Sequence, residues 1–167
     1  MTGVQTCALP ISFHPTTFGR LASVSSDNTL CFRRSGDAKI GVQVRPRAAE
    51  LRSVAFSPDG RYVAAGTRYG PVKVWDADTG NEVATLKGHT ADVWAVAFSR
   101  DSKTLASGNG DWDRPGDIRL WDTTTWKERA RLKHTGEVLC LAFSPTKSVL
   151  AAGSWDKTVK LWDLSEQ

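Results

Sequence analysis

A unit of about forty residues returns four times along this chain, and that recurrence limits the fold more than any single residue does. Aligned on the phenylalanine that closes an apolar strand, the copies set Phe13, Phe56, Phe98 and Phe143 at steps of 43, 42 and 45 residues. Three copies end in Trp-Asp: Trp75-Asp76, Trp121-Asp122 and Trp162-Asp163. A fixed period of this size marks repeats that stack as solenoids or propeller blades. Inside a unit the apolar residues alternate by two. "LRSVAF" from Leu51 is followed by the turn "SPDG", then "RYVAAG", "VKVWD" and, past the turn-forming "DADTGN", "EVATL". Four short antiparallel strands per unit make one propeller blade. The expected fold is all-β: an open partial propeller of about four blades, the last lacking its fourth strand because the chain stops soon after "VKLWD".

Several recurring motifs carry a family resemblance. Gly88-His89, "DVWAVAFS" from Asp92, "LASG" from Leu105, "DKTVKLWD" from Asp156 and the Trp-Asp endings resemble WD-repeat β-propellers from Phe13 to Leu164. The resemblance implies a brace in each blade: a His before the first strand, a hydroxyl in the second, an Asp in the tight turn and the Trp of the third. The last repeat offers His134, Asp156 and Trp162, with Ala152 at the hydroxyl place. The third offers His89, Ser107 and Trp121, with its turn Asp displaced by an insertion; neither set reads as complete. The second keeps Trp75 alone, and the first has Arg33-Arg34 where the others have Trp-Asp. Structural bracing, not catalysis, is the role expected of these residues, since buried polar groups satisfy one another.

Residues 1–11, "MTGVQTCALPI", resemble the in-frame translation of a sequencing-library adapter and are set aside as a scar. The units then run as a divergent first blade at 12–49, a second at 50–88, a third at 89–133 with an inserted loop at 109–116, and an incomplete fourth at 134–167. A seven-bladed ring would need about 280 to 300 residues at forty per blade, so the chain is expected to be a fragment of a larger propeller.

Composition narrows the function classes. Hydrophobic residues make up 40% and charged ones 24%, and no apolar run approaches the roughly eighteen residues of a membrane helix. Cys31 and Cys140 are isolated, which fits neither a metal site nor a disulfide framework and suggests a cytoplasmic setting. Cys140, in "VLCLAF", is expected to fill the strand as a small apolar side chain. The net charge of +4 concentrates between Asp27 and Arg68, where Arg33, Arg34, Lys39, Arg45, Arg47, Arg52, Arg61 and Arg68 outnumber the acids. Such a face would attract acidic protein partners. Without interleaved aromatic platforms, nucleic acid is disfavoured.

No phosphate-cradling glycine loop, nucleophile elbow or zinc-protease helix occurs, and no catalytic residue, cofactor or metal site is expected. "DWDRPGD", from Asp111, is a weak calcium-loop match that lacks a ligand at Pro115. Its Trp112 has no counterpart in the other copies and lies beside Arg114, a composition enriched at protein interfaces. In proteins of the resembling family the residue just inside the first strand often reaches the loop face, which singles out Arg52, Trp94 and Leu139, with Asp92 flanking. Arg52, Asp92, Trp94, Trp112, Arg114 and Leu139 therefore form the candidate protein-binding face. The expected function is a non-catalytic scaffold that binds proteins or peptides. The alternative is the propeller part of a longer signalling polypeptide whose kinase or protease domain lies upstream.

Overall fold

The computed structural model describes residues 10–25, 27–34, 43–45, 50–112 and 114–165. Among the described residues fifteen strands build four antiparallel sheets, each formed by strands in sequence order. Blade 1 holds β1 (Ile11–Phe13), β2 (Arg20–Val24), β3 (Leu30–Arg34) and β4 (Gln43–Val44); blade 2 holds β5 (Leu51–Phe56), β6 (Tyr62–Thr67), β7 (Val72–Asp76) and β8 (Glu82–Leu86). Blade 3 holds β9 (Asp92–Phe98), β10 (Thr104–Gly110), β11 (Asp117–Asp122) and β12 (Glu128–Lys133). Blade 4 has three strands, β13 (Val138–Phe143), β14 (Val149–Ser154) and β15 (Val159–Asp163). The arc is open, as the sequence predicts.

The turns follow from their side chains. After β5, the Ser57 hydroxyl donates to Asp59 at 2.6 Å, the Asp59 carboxylate accepts Arg61 N–H at 3.0 Å, and Gly60 takes a positive φ of 77°. The Asp of each Trp-Asp ending organises the next reversal. Asp76 accepts the amide and hydroxyl of Thr79, both at 2.8 Å, and Asp122 does the same for Thr125. Those hydrogen bonds hold the Asp76 and Asp122 carboxyls below the usual carboxylate range.

The core lies in seams between consecutive blades. Val72 and Val74 of blade 2 pack on Val93, Val96 and Phe98 of blade 3; Ile118 and Leu120 of blade 3 pack on Val138 and Leu150 of blade 4. On blade 4 the counterparts of these pairs, Val159 and Leu161, are 71% and 69% exposed. Phe13 likewise is 71% exposed on blade 1 where Phe56 and Phe98 are buried.

One sequence expectation changes. Cys140 is exposed: it lies on the outward face of blade 4, whose equivalent in blades 2 and 3 is covered by the following blade. Ile11, at the end of the stretch set aside as a scar, pairs with Ser23 in β1, while residues 1–9 lie outside the described ones.

Candidate loop-face binding site

Two sets of loops share one end of the arc: those entering the first strand of each blade and those joining its second strand to its third. The close approach of these loops is visible at Gly70, whose φ is 120° and where an added Cβ would sit 2.2 Å from the His89 carbonyl oxygen of the next blade. Arg52, Trp94 and Leu139 all occupy one special position here. In each of blades 2, 3 and 4 the pairing of the first two strands slips by one residue, between Leu51 and Ser53, opposite Gly108 and Asn109, and between Val138 and Cys140. The skipped residues are Arg52, Trp94 and Leu139. A β-bulge re-aims the side chain of its extra residue, which is why these three depart from the in-and-out alternation of their strands.

The bulge residues do not form a free cationic surface. Arg52 pairs with Glu50 at 3.0 Å and Asp92 at 3.6 Å, and its guanidinium lies 5.2 Å from the centre of the Trp94 ring. Arg68 also pairs with Glu50, at 3.2 Å, and covers the ring of Tyr69. Two of the arginines counted between Asp27 and Arg68, Arg52 and Arg68, are thus matched locally; Lys39 and Arg47 lie outside the described residues. Trp94 is half-buried beneath Arg52, and Leu139 is 39% exposed.

The inserted loop supplies the most exposed aromatic of the candidate face. Trp112 is 81% exposed and its ring stands 5.7 Å from that of Trp155, itself 62% exposed and carried by blade 4. Trp155 was not among the sequence candidates; its position corresponds to Arg68 of blade 2, so alignment to the repeat conceals its character. Arg114 is exposed and bridges back to Asp111 through the backbone. The loop is clasped to blade 4: Gly116 N–H donates to Gly136 C=O at 3.1 Å, and His134 N–H donates to Gly116 C=O at 2.9 Å. A Cβ at Gly116 would meet the Asn109 and Gly136 oxygens at 2.5 and 2.7 Å.

Beneath this face lie the braces, and the third blade's is complete. Trp121 Nε1–H donates to Ser107 Oγ at 2.8 Å, and Ser107 lies 2.6 Å from His89 Nε2. A carboxylate only accepts, so in the neutral imidazole the proton sits on His89 Nδ1 facing Asp117 Oδ1 at 3.4 Å, and Nε2 accepts from the Ser107 hydroxyl. Asp117 is the acid that the sequence alignment set down as displaced. It stands on the first residue of β11 rather than in a tight turn, and the insertion loops out ahead of it. Arg119 at 3.2 Å and Arg131 at 2.5 Å hold its other oxygen. Burial pushes the Asp117 carboxyl up, but His89 and Arg131 outweigh it and hold it well below the usual range. Arg119 reaches onward to Glu128 and, at 2.7 Å, to the Gly88 carbonyl. Gly88 has a φ of 148°, and a Cβ there would strike that guanidinium at 2.1 Å, which explains the glycine before His89.

The fourth blade's brace is partial. His134 Nδ1 lies 3.4 Å from Asp156 and its ring meets Trp162 edge-on at 5.9 Å, but His134 Nε2 is buried without a partner because Ala152 offers no hydroxyl. Trp75 Nε1 is orphaned in the same way above Ala65. No group of three or more potential metal ligands occurs among the described residues.

The WD domain, G-beta repeat family matches residues 44–76, 80–122 and 126–163, and the chain belongs to that family. Among curated relatives, the Poly(A)+ RNA export protein of Schizosaccharomyces pombe is 33% identical over 79% of this chain and 38% of its own length. The guanine nucleotide-binding protein subunit beta of Oryza sativa subsp. japonica is 30% identical over 92% of this chain and 46% of its own length. The chain therefore spans less than half the length of these relatives. The crystal structure of the computationally designed Ika4 protein is 25% identical, with a TM-score of 0.79 over 98% of this chain and 95% of that one.

Proposed function

We propose that this chain is a non-catalytic scaffold that docks other proteins on its loop face, with Trp112 and Trp155 as the anchor. The observation that carries this reading is the exposure of that pair: two large aromatics from adjacent blades meet in solvent with their rings tilted at 43°, whereas Trp75 and Trp121 of the repeat are buried. Rigid aromatic anchors ringed by polar groups are how a few residues come to dominate an interface. Arg52, Asp92, Trp94 and Leu139 extend the face from the bulges, and Arg114 flanks it. Relatives named for RNA export and for a guanine nucleotide-binding subunit support the scaffold class. A place within a longer propeller polypeptide, in a cytoplasmic setting, belongs to the same proposal.

The test is site-specific photo-crosslinking in cells. A benzophenone side chain at position 112 is expected to capture discrete polypeptides that the same group at position 83, on the outer edge strand β8, does not. Trp112→Ala should abolish co-purification of those polypeptides with the melting temperature nearly unchanged. Equal capture from both positions would overturn the loop-face reading.

A further inference from the structure

The acids of the loop face are matched unequally. Glu50, Asp92 and Glu137 hold one repeat position, six residues before Phe56, Phe98 and Phe143. Glu50 pairs with Arg52 and Arg68 of its own blade, at 3.0 and 3.2 Å, and Asp92 pairs with Arg52 of the preceding blade at 3.6 Å. Arginine thus arrives from two kinds of position, the bulge and the end of the second strand. For Glu137 both kinds are uncharged in both flanking blades: Leu139 and Trp155 in blade 4, Trp94 and Gly110 in blade 3.

Glu137 is nevertheless only 8% exposed. Its carboxylate makes no ion pair or hydrogen bond among the described residues. Acids are almost never buried this far without a partner. The backbone holds it there, with Trp155 N–H donating to the Glu137 carbonyl at 3.0 Å. The side chain folds over Gly110, where an added Cβ would strike Glu137 Cα and Cγ at 2.4 Å each. Gly110 lies two residues before Trp112, so Glu137 sits at the foot of the loop that raises Trp112 against Trp155. Its oxygens keep an opening to solvent, which the sealed and orphaned His134 Nε2 does not. Arg114, the cation of the insertion, pairs back to Asp111 through the backbone instead. The seam between blades 2 and 3 shows what such a set of groups holds. There the Arg52 guanidinium lies 5.2 Å from the centre of the Trp94 ring while its nitrogens pair with Glu50 and Asp92.

We infer that the loop face takes an arginine side chain of its protein partner, its guanidinium paired with Glu137 and lying against the Trp112 and Trp155 rings. This rests on the loop-face reading and names the chemistry that the face selects. The partner's arginine does between blades 3 and 4 what Arg52 does between blades 2 and 3. A guanidinium suits the place better than an ammonium, because it is planar, stacks on aromatic faces and forks onto a carboxylate.

Fluorescence anisotropy on the full chain, with the labelled peptide Gly-Ser-Ala-Arg-Ala-Ser-Gly, tests it. Saturable binding is expected, lost when citrulline replaces the arginine and weakened about tenfold in Glu137→Gln. The melting temperature of that variant should hold or rise, because a buried charge without a partner is gone. Leu139→Arg, which gives blade 4 the arginine that Arg52 gives blade 2, should pair with Glu137 internally and abolish binding. Equal binding of the arginine and citrulline peptides, tighter binding of a lysine version, or undiminished binding by both Glu137→Gln and Leu139→Arg would overturn the assignment. The two readings fail separately. Crosslinking from position 112 that persists in Glu137→Gln, with no arginine binding, removes this inference and leaves the scaffold; arginine binding without crosslinked polypeptides leaves the inference and removes the scaffold.

Discussion

Blades 3 and 4 carry nearly the same third-strand ending, Trp121-Asp122 and Trp162-Asp163, yet they are different physical objects. In blade 3 the histidine, serine, aspartate and tryptophan satisfy one another, and a neighbour covers each face. In blade 4 one hydroxyl is missing, a buried imidazole nitrogen is orphaned, and the outward apolar side chains meet solvent. A repeat motif therefore does not have a fixed worth. It depends on whether one small side chain completes the polar set, and on what the adjacent repeat covers.

The comparison breaks most sharply at Asp117. Asp117→Ala leaves His89, Arg119 and Arg131 without their shared acceptor and should destabilise the chain by about 3 kcal/mol in urea denaturation. Asp156→Ala, at the more exposed counterpart, should cost visibly less, and equal losses would erase the distinction between the blades. Ser107→Ala strands Trp121 Nε1 and His89 Nε2 together and should cost about 2 kcal/mol. Its mirror image sharpens the contrast. Ala152→Ser gives His134 Nε2 a partner and should raise stability by about 1 kcal/mol, whereas a loss would show that the fourth blade has no room for the hydroxyl.

Acidity should produce the smallest effect. Burial holds the His134 imidazole below its ordinary value, with the Asp156 carboxylate opposing. Because the unfolded chain takes up that proton near pH 6.5 and the folded one resists it, the unfolded state binds more protons as pH falls. Stability is thus fully present above the unfolded value and declines below it. Asp117, with its folded value depressed, adds a second loss as pH drops beneath about 4, the unfolded carboxylate value. A urea midpoint that falls between pH 7.5 and 5.5 in the native chain, and is flattened by His134→Gln, is the expected signature.

The period, the strands and the three-stranded last sheet were legible because alternation and Trp-Asp endings are local properties. Asp117 was not, because counting back from the tryptophan places the acid six residues away in blade 4 but four in blade 3, and only folding shows the insertion looping out ahead of it. The choice of Arg52, Trp94 and Leu139 as face residues came from resemblance alone. Their shared bulge is a matter of hydrogen-bond register, which no side-chain pattern records. Pairing hid the rest: Arg52 and Arg68 read as excess charge until Glu50 and Asp92 are found beside them. Cys140 was misread because its strand looks two-sided, and two-sided burial needs a following blade.

The seams carry one more implication, for how the chain comes into being. The main contacts between strands of different blades join only consecutive blades, such as β5 with β9 and β9 with β13. Every seam can therefore close as soon as the later blade's first strand exists, with no wait for a distant partner, and closing short loops is what makes folding fast. Emerging from the ribosome N-terminus first, the protein can condense in order, each finished blade templating the next. At every stage the species most exposed to wrong pairing is the blade made last.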